Sequence, residues 1–415
     1  MGAVQIHKPL KKVAFIFSRF PSIWQTYLSR EIDGLIKKGL PIVIFSLKNK
    51  KWEKVQSEAL EIENKIRIIR GGYLFSLSVI ISNLRYIFTN PIKYCQILFF
   101  IIKNSARGKK TTLLKNLIIF PMSVSFSYKM KEEKVCHIHA THASYPALIA
   151  YIISGLTGIP YSFTGHASDI YADITMLGNK IGKAKFIITC TDENIKYLRR
   201  SFPETKNKDI FLNYHGIRLD RFPYIDKRSF DQIRILSVGR IEESKGYHNL
   251  IEANRILKEN GVNFKTVIIG DGPIKNKLIQ MIIKYKLEDN IVITGVIPYD
   301  DVIKYYKSAN IFVLVAINKY HYGIPNVLIE AMASGLPVIT TRLPAVENEL
   351  IKHGENGILV EENSPYEIAE SIKYINRNAN ERERMILNAR KTIEENFDFQ
   401  NNINQLYSIF LQNIR

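Results

Sequence analysis

The sequence predicts an α/β protein of two domains, each built on a parallel β-sheet with helices on both faces. Three observations lead to this fold class. The chain has 415 residues, more than a single hydrophobic core usually supports. Its hydrophobic content of 46% is sufficient for two cores. Short apolar, β-branched runs alternate with helical patterns along the chain, which is typical of parallel sheets.

Ten strands are predicted, five in each domain. The N-terminal set is 13–17, 42–46, 137–140, 161–164 and 186–189. The C-terminal set is 234–238, 265–269, 291–294, 311–315 and 337–340. We place the boundary near 220–234, where the sequence R-F-P-Y interrupts the pattern. The predicted domains are therefore 1–220 and 221–400, followed by a C-terminal helix in 401–415.

The segment 322–337, with the sequence Y-G-I-P-N-V-L-I-E-A-M-A-S-G-L-P, is the most informative motif. An apolar strand at 311–316 leads into it, 323–325 forms the predicted loop, and 327–334 is the predicted helix. The first turn of a helix offers unpaired N–H groups and a positive dipole end, which suit a phosphate. Glu330 adds one carboxylate near this end. Because any α/β crossover has this shape, the phosphate hypothesis needs a second segment.

That second segment is 233–246, with the sequence I-R-I-L-S-V-G-R-I-E-E-S-K-G. A strand ends at Gly239, and Arg240 and Lys245 follow on a loop that opens the next helix. A planar cation and a point-like cation together suit a diphosphate. Gly239 and Gly246 let the backbone approach a ligand closely. Taken alone, the loop is equally compatible with two solvated surface cations.

Together these segments resemble family 4 of the retaining glycosyltransferases, which use nucleotide sugars and have the GT-B fold. The matching motifs are S-V-G-R…K-G and G-x-P…E-A-M-A-x-G-x-P-V, and the most similar branch builds exopolysaccharide and capsule repeat units. Further segments that resemble the family are 13–21, 162–171 and 213–222. The resemblance implies two Rossmann-like, doubly wound domains facing across a cleft. It assigns acceptor binding to the first domain and the nucleotide sugar to the second, with the last helix packing back on the first.

The resemblance also implies roles for individual residues. Arg240 and Lys245 would hold the diphosphate together with amides at 323–327, Glu330 would bind the ribose, and His166 would reach the donor sugar. The further donor-side candidates are Gly239, Gly295, Val296, Tyr322, Gly323, Ile324, Pro325, Asn326 and Val327.

On the acceptor side the candidates are Ser18, Phe20, His139 and Asp169. Three interpretations of Asp169 stay open. It could orient the ring of His166 or bind the acceptor. It could also be the N-cap of a helix whose first residue is Ile170.

One position departs from the family pattern. Eight residues before Glu330 the family usually has a second glutamate that contacts hydroxyls of the donor sugar, and here Tyr322 occupies that position. No Asp or Glu occurs from 302 to 329 to replace it. Tyrosine keeps a hydrogen-bonding hydroxyl but carries no charge at neutral pH. Either the donor sugar is held differently, or activity is reduced or lost.

Three histidines, His137, His139 and His142, occur in the sequence H-I-H-A-T-H. Strand alternation puts the first two on one face, so a metal site is conceivable. Strand ends of an open α/β sheet also line the ligand crevice, and no cysteine or paired acidic pattern accompanies these histidines. We therefore expect no metal and no cofactor.

Charge is divided unevenly along the chain. Residues 1–220 hold 33 Lys/Arg against 15 Asp/Glu, and residues 221–415 hold 25 against 24. Between 71 and 130, basic residues interrupt apolar and aromatic runs before any span of about 18 apolar residues forms. Two interpretations fit this basic amphipathic insertion. Its helices could lie in the interface of a bilayer, or they could be core helices with a solvated basic face. A lipid-linked acceptor favours peripheral association with an anionic membrane.

The sequence also suggests a cellular location. Residues 1–10 lack the apolar core of a secretion signal, and Cys95, Cys136 and Cys190 are scattered without metal spacing. We therefore expect a cytoplasmic protein, peripheral on the inner face of the membrane.

We expect retaining transfer from a UDP-, GDP- or ADP-sugar to a glycan or lipid-linked saccharide, with the departing phosphate as the base. Three rival functions are weaker. A glycan phosphorylase would need a pyridoxal phosphate lysine, and no matching motif is visible. A scaffold without catalysis is favoured by Tyr322 alone. Nucleic-acid binding is suggested by the net charge of +19, but no recognition motif accompanies it.

Overall fold

The computed structural model describes residues 11–22, 26–48, 62–71, 76–106, 110–172, 174–224, 232–318 and 323–414. The chain forms two compact units. Unit 1 comprises Met1–Asn213 and Ile403–Arg415, and unit 2 comprises Tyr214–Asn402. The division falls slightly earlier in the chain than the boundary that the sequence predicts.

Unit 1 contains a seven-stranded, fully parallel sheet. Its strands are β1 (Val13–Arg19), β2 (Ile42–Lys48), β3 (Ile68–Arg70), β4 (His137–Ala140), β5 (Tyr161–Gly165), β6 (Phe186–Thr189) and β7 (Asp209–Leu212). The spatial order is β3-β2-β1-β4-β5-β6-β7. In the register, Val13 pairs with Ile42 on one side and His137 on the other. The five strands predicted for this region are all present, whereas β3 and β7 were not predicted.

The helices of unit 1 connect these strands. They are α1 (Thr26–Lys37), α2 (Leu77–Thr89), α3 (Pro91–Ser105), α4 (Lys110–Glu132), α5 (Tyr145–Thr157), α6 (Ala167–Tyr171), α7 (Leu177–Lys183) and α8 (Asp192–Ser201). Helix α5 is almost entirely apolar and buried, and it ends where Gly158 adopts a left-handed φ of +80°. Among the described residues, no helix is both long and apolar enough to span a bilayer.

Unit 2 contains a six-stranded parallel sheet. Its strands are β8 (Ile233–Val238), β9 (Phe264–Ile269), β10 (Ile291–Gly295), β11 (Ile311–Leu314), β12 (Val338–Thr341) and β13 (Ile358–Val360), in the spatial order β10-β9-β8-β11-β12-β13. Its helices are α9 (Tyr247–Glu259), α10 (Lys275–Lys284), α11 (Tyr299–Ser308), α12 (Asn326–Ala333), α13 (Pro344–Glu349), α14 (Pro365–Arg377) and α15 (Ala379–Asn396). The five predicted strands are again present, and β13 was not predicted.

The C-terminal helix α16 (Phe399–Asn413) enters the core of unit 1. Phe410 is fully buried, with ring centroids 5.5 Å from Phe15, 5.0 Å from His139 and 6.0 Å from Phe186. A segment made late in the chain therefore completes the core of the unit made first.

In both units the order of strands reverses once. The chain builds outward from β1 to β3 and then returns to place β4 on the other side of β1. Likewise it builds from β8 to β10 and then places β11 beside β8. Loops that leave the carboxyl ends of two strands at such a reversal diverge and open a crevice, where α/β proteins bind ligands.

Candidate functional site

The two motif loops of unit 2 leave the sheet at its reversal point. Strands β8 and β11 pair in parallel, with Ile235 opposite Ile311. The loop with Arg240 and Lys245 follows β8, and the chain after β11 leads to 323–327. Both predicted phosphate-binding segments therefore start from neighbouring strand ends on one edge of the sheet.

The loop after β8 carries two cationic side chains that differ in exposure: Arg240 is exposed and Lys245 is half-buried. The Arg240 side chain is 61% exposed, and its Nε lies 3.6 Å from Oε2 of Glu242. Lys245 is half-buried, and burial lowers the pKa of its ammonium group from the ordinary value, while Glu242 opposes this shift. The Ser244 hydroxyl donates to the other Glu242 oxygen at 2.7 Å. Glu242 thus links the two cations, a role that sequence reasoning missed.

Gly246 is required where this loop meets the strand end beside it. Its φ is +62°, and a Cβ there would lie 2.0 Å from the Val315 carbonyl oxygen. The Ile317 amide donates to the Ser244 carbonyl at 2.9 Å, which ties the same two segments together. Gly246 therefore lets the backbone of a neighbouring segment approach closely, while its close approach to a ligand stays a prediction.

Helix α12 begins at Asn326, after a Pro325 N-cap, and carries no acidic residue in its first turn. Gly323, Ile324 and Pro325 are partly exposed, as are the first two helical residues, Asn326 and Val327. The amide end of the helix is therefore accessible for an anion. Tyr322 lies outside the described residues.

Glu330 is buried on α12, and both of its carboxylate oxygens are hydrogen-bonded. Tyr299 donates to Oε1 at 2.6 Å, and Tyr306 donates to Oε2 at 3.0 Å. Burial, and then the Glu330 charge, raise the pKa of Tyr306 well above its ordinary value, so the phenol stays a donor. These two tyrosines fix the direction of the carboxylate.

Sequence reasoning missed both tyrosines. They lie seven residues apart on α11, which places them two turns apart on one helix face. That spacing was a visible signal, but nothing in the sequence connected it with a carboxylate on another helix.

Gly295 and Val296 lie at the end of β10, away from the reversal point. The Gly270 amide donates to the Gly295 carbonyl at 3.1 Å, and the Gly239 amide donates to the Ile269 carbonyl at 3.0 Å. These bonds connect the ends of β8, β9 and β10. Val296 is 63% exposed, so its side chain is available to a ligand.

In unit 1, His166 follows β5 and is buried. Its Nε2 lies 3.1 Å from the Thr141 carbonyl, to which it donates, and its Nδ1 lies 3.9 Å from Sγ of Cys190. The His142 ring lies 4.8 Å away, and the Tyr27 ring 5.5 Å away. The structure thus gathers His142 and His166 near the ends of β4 and β5.

Asp169 does not cap a helix, so that interpretation was wrong. It lies inside α6, and the helix begins with the His166 carbonyl accepting from the Asp169 amide at 2.9 Å. Its Oδ2 accepts from the Ala143 amide at 3.2 Å, which joins α6 to the loop after β4. Burial raises the carboxyl pKa above its ordinary value, and His142 works against this rise.

Polar atoms of His142, His166 and Asp169 all lie within 4.8 Å of one another. The cluster therefore has the spacing of a cation site. Its side chains also contact protein groups, through hydrogen bonds or through a neighbouring aromatic ring. The sequence raised a metal site from His137 and His139 in a cluster that also contains His142; the structure instead brings His142 together with His166 and Asp169.

Those two histidines bind hydroxyl groups instead. His137 Nε2 lies 2.7 Å from the Ser162 hydroxyl, His139 Nδ1 lies 2.9 Å from the same oxygen, and His139 Nε2 lies 3.0 Å from the Thr164 hydroxyl. Burial lowers the pKa of His137 to about 3 and that of His139 well below its ordinary value. Both rings are therefore neutral and belong to the polar core.

The two remaining acceptor-side candidates differ in exposure. Ser18 is partly exposed near the end of β1. Phe20 is 2% exposed and packs on Phe17 with ring centroids 4.8 Å apart. Its amide donates to the Ser46 hydroxyl at 3.0 Å. Phe20 is too buried to contact a ligand directly and can only support the residues above it, whereas Ser18 is exposed enough to contact a ligand.

Comparison with known proteins gives these sites a context. Residues 224–392 match the family model described as glycosyl transferases group 1. Over 196 residues the chain is 34% identical to WcaL of Escherichia coli K12, a glycosyltransferase assigned to colanic acid biosynthesis, covering 46% of this chain and 48% of WcaL. Over 187 residues it is 34% identical to AmsK of Erwinia amylovora, an amylovoran biosynthesis glycosyltransferase, covering 44% and 46%. The matched stretch spans about half the length of these relatives.

Solved structures match nearly the whole chain. Sucrose-phosphate synthase from Thermosynechococcus elongatus aligns with a TM-score of 0.72 and 17% identity, covering 97% of this chain and 98% of that one. HepE from Anabaena, in complex with UDP-glucose, aligns with a TM-score of 0.71 and 14% identity, covering 97% and 99%. These alignments confirm the predicted GT-B fold, and the sequence matches confirm the resemblance to exopolysaccharide and capsule glycosyltransferases.

Proposed function

We propose that this chain, which carries a glycosyl transferases group 1 domain at residues 224–392, is a retaining glycosyltransferase of cell-surface polysaccharide biosynthesis. It would move a sugar from a nucleotide-sugar donor to a glycan or lipid-linked saccharide acceptor. The observation that carries the proposal is the pairing of the Arg240–Lys245 loop with the α12 amide end at neighbouring strand ends.

In this proposal the diphosphate of the donor lies between the two loops. Arg240 is exposed enough to reach it, and half-buried Lys245 would supply a cation that is already poorly solvated. Such preorganised groups stabilise the negative charge that develops as the nucleoside diphosphate leaves. Gly323 and the amides at 326–327 would complete the cradle. No metal or cofactor is required, because the two cations supply the charge.

Glu330 would accept hydrogen bonds from the ribose hydroxyls. Tyr299 and Tyr306 already donate to its two oxygens, and each carboxylate oxygen can accept more than one hydrogen bond. The tyrosines would therefore act as positioning residues, holding the carboxylate in one direction while leaving it able to accept further bonds.

Retention would follow from attack on the same face as the departing phosphate, which would serve as the base. In unit 1, His166 and Asp169 would be the residues that serve the sugar substrates. Tyr322 would contact the donor sugar through its hydroxyl in place of the usual carboxylate. The proposed location is cytoplasmic, peripheral on the inner face of a membrane.

A thermal-shift screen against UDP-, GDP- and ADP-sugars tests the donor site, with wild type, Tyr322→Glu and Lys245→Ala compared in parallel. A ligand of the native state raises the melting temperature by mass action. We expect one nucleotide class to stabilise wild type and to lose this effect in Lys245→Ala. Stabilisation of Tyr322→Glu alone would favour a scaffold instead, and no stabilisation of any variant would overturn the donor site.

A further inference from the structure

Helix α2 turns an apolar stripe toward solvent. Its exposed side chains recur at intervals of three and four residues, which places them on one face. They are Leu77, Ile80, Ile81, Leu84, Ile87 and Phe88. Phe88 is 82% exposed and Leu77 is 72% exposed. This face has the pattern of a core-facing helix, but it lies on the surface.

Helices α3 and α4 extend the same kind of surface. Their exposed apolar side chains are Ile92, Phe99, Ile102, Leu114 and Ile118. Eleven of the nineteen large hydrophobic side chains that are exposed among the described residues lie on these three helices. Such a concentration marks an interaction surface, whereas single exposed apolar residues do not.

Hydrogen bonds from the opposite faces hold these helices in this orientation. The Tyr86 hydroxyl donates to the Leu156 carbonyl at 2.7 Å, and the Asn83 amide donates to the Pro121 carbonyl at 3.0 Å. The Tyr94 hydroxyl donates to the Asn83 side-chain oxygen at 3.0 Å, which joins α3 to α2. Rotating the apolar stripe inward would break these bonds, so the outward orientation is built into the unit.

The charge of the same segment selects its partner. Residues 71–131 contain nine Lys/Arg and no Asp or Glu. A second copy of the chain would oppose this surface with the same positive charge, which disfavours self-association. An anionic bilayer offers negative headgroups above an apolar interior, and it therefore matches both properties.

We propose that the exposed faces of α2, α3 and α4 form a surface that binds anionic lipid bilayers. The apolar side chains enter the boundary between headgroups and acyl chains, and cations such as Lys93 and Lys103 lie among the lipid phosphates. This surface identifies the residues that would hold the protein at the membrane. The proposal rests on the proposed function in one respect, which is the peripheral membrane location.

Vesicle sedimentation of the full chain tests this surface. Wild type is compared on phosphatidylcholine vesicles and on vesicles that also contain phosphatidylglycerol, without donor or acceptor. The double variant Leu84→Ser/Phe88→Ser should bind the anionic vesicles about tenfold or more weakly, because two apolar side chains are lost from the interface. Lys93→Gln should weaken binding about fivefold, and high salt should reduce this difference.

The matched control is Tyr366→Ser/Leu387→Ser, which removes two side chains of unit 2 that are 65% and 52% exposed. We expect it to bind like wild type. Equal binding to both vesicle types, or unchanged binding by Leu84→Ser/Phe88→Ser, would overturn the proposal. A third result would also overturn it: a wild-type dimer in analytical ultracentrifugation with a monomeric Leu84→Ser/Phe88→Ser variant, because the surface would then bind a second copy of the chain. None of these results depends on glycosyl transfer, so a failure here leaves the proposed reaction standing.

Discussion

The two units share one architecture but differ in their surfaces. Each has a parallel sheet with one reversal of strand order. Unit 1 holds 33 Lys/Arg against 14 Asp/Glu, a net charge of +19, whereas unit 2 holds 25 of each. The whole net charge of the chain therefore belongs to one unit. The sheet and its core set the fold, and the surface charge is free to follow each unit's own partner.

The units also differ in how they treat buried polar groups. In unit 2 a buried carboxylate, Glu330, is held by two tyrosine hydroxyls. In unit 1 two buried histidines of β4, His137 and His139, are neutral and pair with serine and threonine hydroxyls. We infer that unit 2 is organised around a charge that meets a ligand, and that His137 and His139 of unit 1 serve stability.

The largest expected effect tests whether unit 2 carries the chemistry. Lys245→Ala should lower the transfer rate about 100- to 1,000-fold, as expected for loss of one preorganised charge-stabilising group. The melting temperature without ligand should change little. Initial rates of sugar transfer and a thermal melt check both statements. Lys391→Ala, an exposed lysine of the same unit, is the control and should retain full activity. Normal transfer by Lys245→Ala would remove the phosphate assignment.

A second test compares one buried tyrosine from each unit. Tyr306→Phe removes a hydrogen bond to the Glu330 carboxylate, and Tyr161→Phe removes one to the Lys180 carbonyl. Both should lower the free energy of unfolding by about 1–3 kcal/mol. Only Tyr306→Phe should also weaken nucleotide-sugar binding, measured by calorimetry. Equal binding by both variants would mean that Glu330 does not meet the donor.

The third test uses pH to address unit 1. Burial, and then the Lys185 charge, lower the pKa of His137 to about 3, below the unfolded value of about 6.5. The unfolded state therefore binds more protons in this window, so stability is full above pH 6.5 and is lost as pH falls toward 3. We expect a loss of about 2 kcal/mol between pH 7 and pH 5 from this group.

Urea unfolding at pH 7 and pH 5, followed by far-UV circular dichroism, measures this loss. His137→Gln keeps a polar group near the Ser162 hydroxyl but does not titrate. It should flatten the dependence on pH by about the same amount. An unchanged slope in His137→Gln would assign the acid sensitivity to other groups.

The sequence predicted ten strands from their apolar, β-branched runs, and nine of these strands lie inside the two sheets, whereas β10 lies at an edge. The three strands it missed, β3, β7 and β13, all lie at sheet edges and contain only three or four residues. Edge strands have one unpaired side and are often kept short, so their apolar runs fall below a recognisable length. A helix cap, by contrast, depends on neighbouring residues alone: the Thr191 hydroxyl accepts from the Asn194 amide at the start of α8.

The candidate site was predictable only where its residues belong to local sequence motifs. Arg240, Lys245 and Glu330 occur in local motifs, and the structure places their loops or helices on one edge of the sheet. The tyrosines that hold Glu330 come from a different helix, and no local pattern links them to it. Likewise, the apolar and basic composition of residues 71–130 could not say which side chains face solvent. Contacts between distant segments carry that information.

The position of Phe410 has a consequence for how the protein is made. Its ring fills a space between Phe15, His139 and Phe186 in unit 1. A ribosome synthesises all of unit 2 before residue 410 leaves the exit tunnel. Until then the contacts of Phe410 with Phe15, His139 and Phe186 cannot form. Final closure of the first unit therefore coincides with the end of translation of the second.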